Sequence, residues 1–392
     1  GMILLQKFKS LQASSLILYF LLMFFVVEGF NKIFFFTQGE TFFLQKLTKF
    51  LIFFIAGFYL LINSPKKLIS LLILFLCFVI GQFFLEESFT KISLIAYSRY
   101  FFFILLIIFS SKPIVNIATI SRIEKIFETL IVINSIIIIL GLIFQLDYLS
   151  TYHGGRFGYN GLFMASSIST YFYITAFIYY LNKYKLQVLS RIDWWLAIAA
   201  SCFIGTKSVY LSLFFIFGYL GFTFIRNRRT KILLTILLVL LVIIGGYIFL
   251  SSGIFKTIVK EDGWVTAILS HRNQALQEYT LPYIEQNWSI FNYFVGGIDS
   301  PGIRPQLEYI DLFLFFGIIG VIVFAYTFIK SFFTFKVNSL LLKMFLLLFA
   351  VTFVAGNFFY NASVPIYLIV LKLSILKTNK KELMEITKTN GK

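Results

Sequence analysis

The stretch RNRRTKILLTILLVLLVIIGGYIFL, residues 226–250, decides the class of fold. Four basic residues, Arg226, Arg228, Arg229 and Lys231, stand before an uncharged apolar run at 232–250. An α-helix rises about 1.5 Å per residue, so this run nearly crosses a hydrocarbon core about 30 Å thick. Lys and Arg collect in short cytoplasmic loops, which places the basic cluster inside and the far end outside. The segment reads as a membrane span, and the same grammar repeats in both directions along the chain.

Across 392 residues, 59% are hydrophobic, 13% are charged and 52 are Phe. Soluble domains carry about 45–50% apolar and about 25% charged residues, so an ordinary soluble protein is excluded. Alternating basic clusters and apolar runs predict an all-α polytopic membrane protein with about twelve spans and both termini inside. The expected spans are 11–27, 49–62, 68–85, 92–109, 130–146, 162–181, 194–205, 209–225, 232–250, 312–329, 342–355 and 364–375. Residues 113–128, with Arg122 and Lys125 among Ile and Phe, read as a helix lying on the inner interface. The first run lacks a small-residue cleavage site and reads as a retained span. The whole chain, 1–392, reads as one transmembrane domain, and residues 251–307 form its one large outside loop.

A net charge of +17 would suggest a polyanion partner were it spread over the surface. Placed on this topology, and counting Lys343 and Lys372 with the inner ends of their spans, 23 Lys and Arg against 5 Asp and Glu lie inside, and 11 against 12 lie elsewhere. The basic excess is what orients the spans, and nucleic acid is not implied. Cys77 and Cys202 both fall in apolar runs, which supports neither a disulfide framework nor a metal knuckle. His153 and His271 are the only histidines, and no cluster has metal-ligand spacing.

Ionisable groups at membrane depth are costly and mark functional sites. Five cations depart from the inside bias: Arg99 in the fourth span, Arg156 after Gly154-Gly155, Lys207 in the Gly205-Thr206-Lys207-Ser208 turn, and Arg272 and Arg304 in the large loop. Together they suit an anion. Individually, Arg99 also fits a structural partner for a buried carboxylate, and Lys207 a side chain snorkelling to the interface. Glu308 and Asp311, three apart at the mouth of a span, share a helix face. They fit a general-base pair, a structural pair for Arg304 and Arg272, or, more weakly, a divalent-ion site. Residues 273–288 suggest an amphipathic surface helix. Tyr279, Tyr283, Trp288 and Tyr309 suit interfacial anchoring or stacking on sugar rings.

Four short motifs in this order resemble the Wzy-type O-antigen and capsule polymerases, within the group that also holds the O-antigen ligases. They are Gly155-Arg156-Phe157-Gly158 with Asn160, Gly205-Thr206-Lys207-Ser208, Ser270-His271-Arg272, and Glu308-Tyr309-Ile310-Asp311 ahead of Gly317-Ile318-Ile319-Gly320. The likeness extends to the twelve-span layout and the large outside loop. Ligases of this kind typically carry a His eleven residues before the first Gly of that last motif, where this chain has Gln306.

The resemblance implies a GT-C-like glycosyltransferase of the bacterial inner membrane. It would join oligosaccharide repeats carried on undecaprenyl diphosphate, transferring the growing chain to the non-reducing end of an incoming repeat. The leaving diphosphate is an anion, so cations matter more than an acid. Arg156, Lys207 and Arg272 are the expected clamp, with Arg99 and Arg304 as second choices. Glu308, Asp311 or His271 would be the base for the acceptor hydroxyl. No cofactor or metal is expected. The partners expected are the lipid-linked oligosaccharide, membrane lipid and a chain-length regulator protein. Alternatives are an O-antigen ligase acting on lipid A core, a flippase for the same lipid-linked unit, and a structural subunit of an envelope machine.

Overall fold

Long apolar runs with few internal Gly or Pro leave the backbone one way to satisfy its polar groups without water, the α-helix. The computed structural model describes residues 13–86, 89–111, 116–152, 156–224, 227–250 and 253–390. Leu11, Glu87, Lys112, Pro113, His153, Gly154, Gly155 and Arg226 lie outside the described residues. Among the described residues there is no strand, only one isolated antiparallel bridge between Ser150 and Tyr159.

The helices are α1 (Ala13–Gln38), α2 (Phe43–Asn63), α3 (Ile69–Phe83), α4 (Lys91–Phe109), α5 (Ile117–Ile143), α6 (Ser166–Tyr184), α7 (Ile192–Cys202), α8 (Lys207–Phe224) and α9 (Arg228–Leu250). There follow α10 (Gly253–Leu269), α11 (272–287), α12 (Ile290–Val295), α13 (Glu308–Phe332), α14 (Ser339–Ala355) and α15 (Val364–Asn390). Among the described residues, seven segments are long and apolar enough to cross a membrane: α1, α2, α3 with its leading turn, α4, α5, α8 and α13. The chain is a helical, multi-pass membrane protein. Helices also stand at the other five expected span positions, of which α7, with 11 residues, is the shortest.

Burial is inverted relative to a soluble protein. The centre is α6, buried over nearly its whole length and packed against α15, which in turn meets α4. Large apolar side chains such as Phe50, Phe83 and Leu233 face outward, each at least 66% exposed. On a soluble monomer so many would form an aggregation surface, whereas a lipid tail is their natural solvent.

Three boundaries differ from expectation, each for a physical reason. The interfacial helix at 113–128 and the span from 130 are one continuous helix, α5. No Pro or Gly interrupts its first six turns, and Glu124 and Glu128 find cations on other helices instead of water. Helix α1 does not stop at residue 27 but runs to Gln38, so Glu28 and Lys32, at 2% and 1% exposed, are buried within it and not in a loop. The expected helix at 273–288 runs 272–287 and is widened by a π-turn over Leu276–Thr280. Pro282 just beyond lacks an N–H and crowds the preceding turn, which accounts for the widening.

Glycines set the close approach of α12 to α13. Helix α13 bends at Gly317, where φ is +61°. A Cβ there would overlap the backbone of Phe294, and one on Gly296 would overlap that of Phe315. The bend lets α12 lie against α13 with no side chain between them.

Candidate functional site

Residues 149–152 and 156–161 pair as the two arms of a small hairpin. Thr151 N–H donates to Gly158 O at 2.8 Å and Asn160 N–H to Leu149 O at 3.1 Å, on either side of the Ser150–Tyr159 bridge. The hairpin leans on the turn between α7 and α8: Tyr159 N–H donates to Phe203 O at 2.7 Å and Thr151 Oγ1 to Ile204 O at 2.8 Å. Gly205, at φ +77°, is required there, because a Cβ would strike Phe157 O. This docking brings the Arg156 motif and the Lys207 motif, about fifty residues apart in sequence, to one place.

Arg156 stacks over Tyr152 with its guanidinium carbon 3.8 Å from the ring centroid, and over Phe255 at 5.1 Å. Its only hydrogen bond among the described residues is a 3.4 Å contact to Gly205 O. The Lys207 ammonium sits 4.3 Å from the same Phe255 ring. It donates to Ala267 O, to Ile268 O at 3.1 Å and to Ser270 Oγ at 2.9 Å, capping the end of α10. Arg272 caps α14 in the same manner, donating to Val354 O at 2.6 Å and Ala355 O at 2.7 Å. Its Nε is buried without a partner. Burial lowers the Arg272 pKa, and the nearby Arg156 charge acts in the same direction. The three cations come from a hairpin, a helix start and a surface helix, and lie close enough to repel one another. None of them pairs with a carboxylate among the described residues.

The second pair of cations is held differently. Arg304 is buried, donates to Asp311 Oδ2 and to Asn357 Oδ1, each at 2.8 Å, and stacks 3.8 Å from the Tyr360 ring. Burial opposes its charge, but Tyr100, Asp311 and Glu308 outweigh that and its pKa is raised. Arg99, exposed on α4, lies over the same Tyr360 ring at 4.5 Å. The Asp311 charge also reaches Arg272, so the two cation groups adjoin.

The three base candidates separate on geometry. Glu308 is fully buried, and its two oxygens accept the Phe358 and Phe359 N–H groups at 2.9 Å each, which staples the segment after α14 to the start of α13. Asp311 keeps Oδ1 without a partner. His271, at φ +64°, is exposed, with Nδ1 at 2.6 Å from Gln274 Oε1 and 4.0 Å from Asp262. Its contacts lie outside the cluster. Gln306 is exposed at φ +57° beside Asn357. The Glu308–Asp311 pair holds a guanidinium and two backbone N–H groups where a divalent ion was considered, and among the described residues no group of three or more metal-ligating side chains occurs.

Of the aromatics, Trp288 donates through Nε1 to Gly297 O at 2.8 Å and Tyr283 is buried, so both pack inward. Tyr279 is 59% exposed, and Tyr309 stacks on Phe353. Sequence reasoning missed Lys32 and Asn134, whose side chains hold the hairpin's base and exit. The available signal was Glu28 and Lys32 four apart, followed by Ile33-Phe34-Phe35-Phe36, which marks a helix continuing past its charges. Compared with protein families, characterised proteins and solved structures, the chain has no match in any of the three.

Proposed function

We propose that this protein is a polysaccharide polymerase of the bacterial inner membrane. It has twelve spans with both termini inside and a GT-C-like arrangement, and it joins undecaprenyl-diphosphate-linked oligosaccharide repeats at the outer face. The observation that carries the proposal is the meeting of Arg156, Lys207 and Arg272 from three separate elements with no carboxylate among their partners. Their present acceptors are neutral carbonyls, a hydroxyl and rings. A diphosphate is a stronger acceptor and takes charge-assisted, bidentate bonds from Arg.

In the reaction the acceptor hydroxyl attacks the anomeric carbon of the donor chain, that carbon's bond to the diphosphate oxygen breaks, and the hydroxyl proton passes to a base. The cation triad holds the departing diphosphate, with charge stabilisation concentrated where negative charge develops. Asp311, whose Oδ1 makes no close hydrogen bond among the described residues although the Gln306 N–H bears on the carboxylate, suits the base better than Glu308, whose oxygens are both engaged, or His271, which lies apart. Arg304 positions Asp311, and Arg99 extends the positive surface through Tyr360. A chain-length regulator is the protein partner the reading implies.

The ligase alternative is less favoured because Gln306, exposed at the position of the ligase histidine, cannot act as a base. Purified protein incubated with synthetic lipid-linked repeats tests the proposal. A ladder of longer lipid-linked products, lost in Asp311→Asn, is expected. Transfer only to lipid A core would make it a ligase, and translocation without release of undecaprenyl diphosphate would make it a flippase.

A further inference from the structure

Lys32 is 1% exposed inside α1, and an ammonium there must spend all three donors on fixed acceptors or forfeit its hydration. It has three. The donors go to Ser150 O at 2.9 Å, to Asn160 Oδ1 and to Gly161 O at 2.8 Å. Those acceptors lie on both arms of the hairpin, Ser150 on one and Asn160 and Gly161 on the other, and Arg156 stands on the second arm, four residues before Asn160. Glu28, one helical turn earlier on the same face, does not pair with Lys32. It accepts Met164 N–H at 3.1 Å and so holds the chain just after the hairpin. Asn134 on α5 adds a third hold, accepting Leu162 N–H at 2.9 Å. The far side of the hairpin rests on the turn that begins α8 and carries Lys207.

We infer that Lys32 is the positioning residue for Arg156: it closes the base of the hairpin from within a membrane-spanning helix and so fixes where the guanidinium stands relative to Lys207. A neutral side chain of similar length removes the three bonds that join the two arms from α1 and leaves them joined to each other by their own few backbone bonds. Arg156, carried on one arm, is then held less firmly against the α7–α8 turn. The clamp stands on geometry alone. Its consequence for phosphate binding rests on the proposed function.

The test uses the full-length protein in nanodiscs and reads two quantities. Hydrogen exchange reports the amides of Thr151, Tyr159 and Asn160, and titration with undecaprenyl diphosphate reports the site. Lys32→Met is expected to speed exchange of those amides by roughly tenfold or more, as the loss of buried hydrogen bonds to a charged donor requires, while amides in α6 and α13 hold their rates. Diphosphate affinity falls by roughly tenfold or more in Lys32→Met, and Lys32→Met adds little to Arg156→Ala, since both remove the same contact. Lys32→Arg, which keeps the donors, recovers most of both signals.

Should Lys32→Met fail to fold, Asn160→Ala is the cleaner probe. Its Nδ2 has no partner, so the substitution removes the Lys32 bond alone, and about a threefold rise in exchange is expected. Unchanged exchange in these variants overturns the clamp. Faster exchange with unchanged diphosphate affinity, or effects of Lys32→Met and Arg156→Ala that add in full, overturns the positioning role. If the wild-type protein binds no diphosphate, the proposed function fails instead, and exchange alone decides the clamp.

Discussion

Two polar clusters lie at opposite ends of α5 and α6, and they treat their cations in opposite ways. Toward the start of α5, Lys183 meets Glu128 at 2.7 Å and Glu124 at 3.5 Å, Lys377 meets Glu124 at 2.5 Å, and Arg191 meets Asp193 at 2.6 Å. Tyr179 and Tyr184 donate to Glu128 at 2.7 Å each, completing its shell. Beyond the other end of α5, Arg156, Lys207 and Arg272 have only carbonyls, a hydroxyl and rings. The first cluster is neutralised and knits α5, α6 and α15 together. The second has no carboxylate paired directly with it among the described residues, which suits the anion that the proposed function brings. The same residue types thus divide by partner into structure and candidate site.

The largest expected effect breaks the neutral cluster. Glu124→Ala strands Lys377, which has no other carboxylate partner among the described residues, and removing one partner of a buried pair costs about 3–5 kcal/mol. Thermal unfolding in detergent should report that loss, while the surviving folded protein extends chains at close to the normal rate. Next, Arg156→Ala, Lys207→Ala or Arg272→Ala should each cut chain extension roughly 10²–10³-fold, about 2.7–4 kcal/mol of transition-state stabilisation. Their melting temperatures should fall less than that of Glu124→Ala. If the outer variants instead lose stability first and activity in proportion, the division between the clusters is wrong. A smaller effect comes from Tyr152→Leu, which removes the ring under Arg156 and should weaken extension by about 0.5–2 kcal/mol. The smallest is a salt effect. Raising ionic strength should weaken diphosphate binding more than it lowers thermal stability, because the partly exposed site is screened and the buried pairs are not.

What the sequence could reveal follows from how each feature is written in it. Span existence is carried by composition over some twenty residues, so helices lie where apolar runs predicted them. Helix ends depend on single charges, and there tertiary partners override the pattern. Glu28 and Lys32 look like the edge of a loop, yet buried acceptors on the 149–164 segment let α1 pass straight through them. Glu124 and Glu128 look interfacial for the same reason, while Lys377, 253 residues away from Glu124, and Lys183 beside Glu128 supply the partners that let both stay inside α5. That Arg156, Lys207 and Arg272 come together follows from turns and hydrogen bonds that their separate positions in the sequence do not show. The role of Glu308 was not legible either, because a carboxylate bound to Phe358 and Phe359 N–H groups reads in sequence just like a free base.

The central claim is that three uncompensated cations from separate elements grip one diphosphate. A structure determined with undecaprenyl diphosphate bound tests it most directly. The account predicts both phosphates within hydrogen-bond distance of the Arg156, Lys207 and Arg272 side chains, with Lys207 or Arg272 having exchanged at least one carbonyl for a phosphate oxygen. A diphosphate bound elsewhere, with all three side chains still on their present carbonyls and rings, would contradict it.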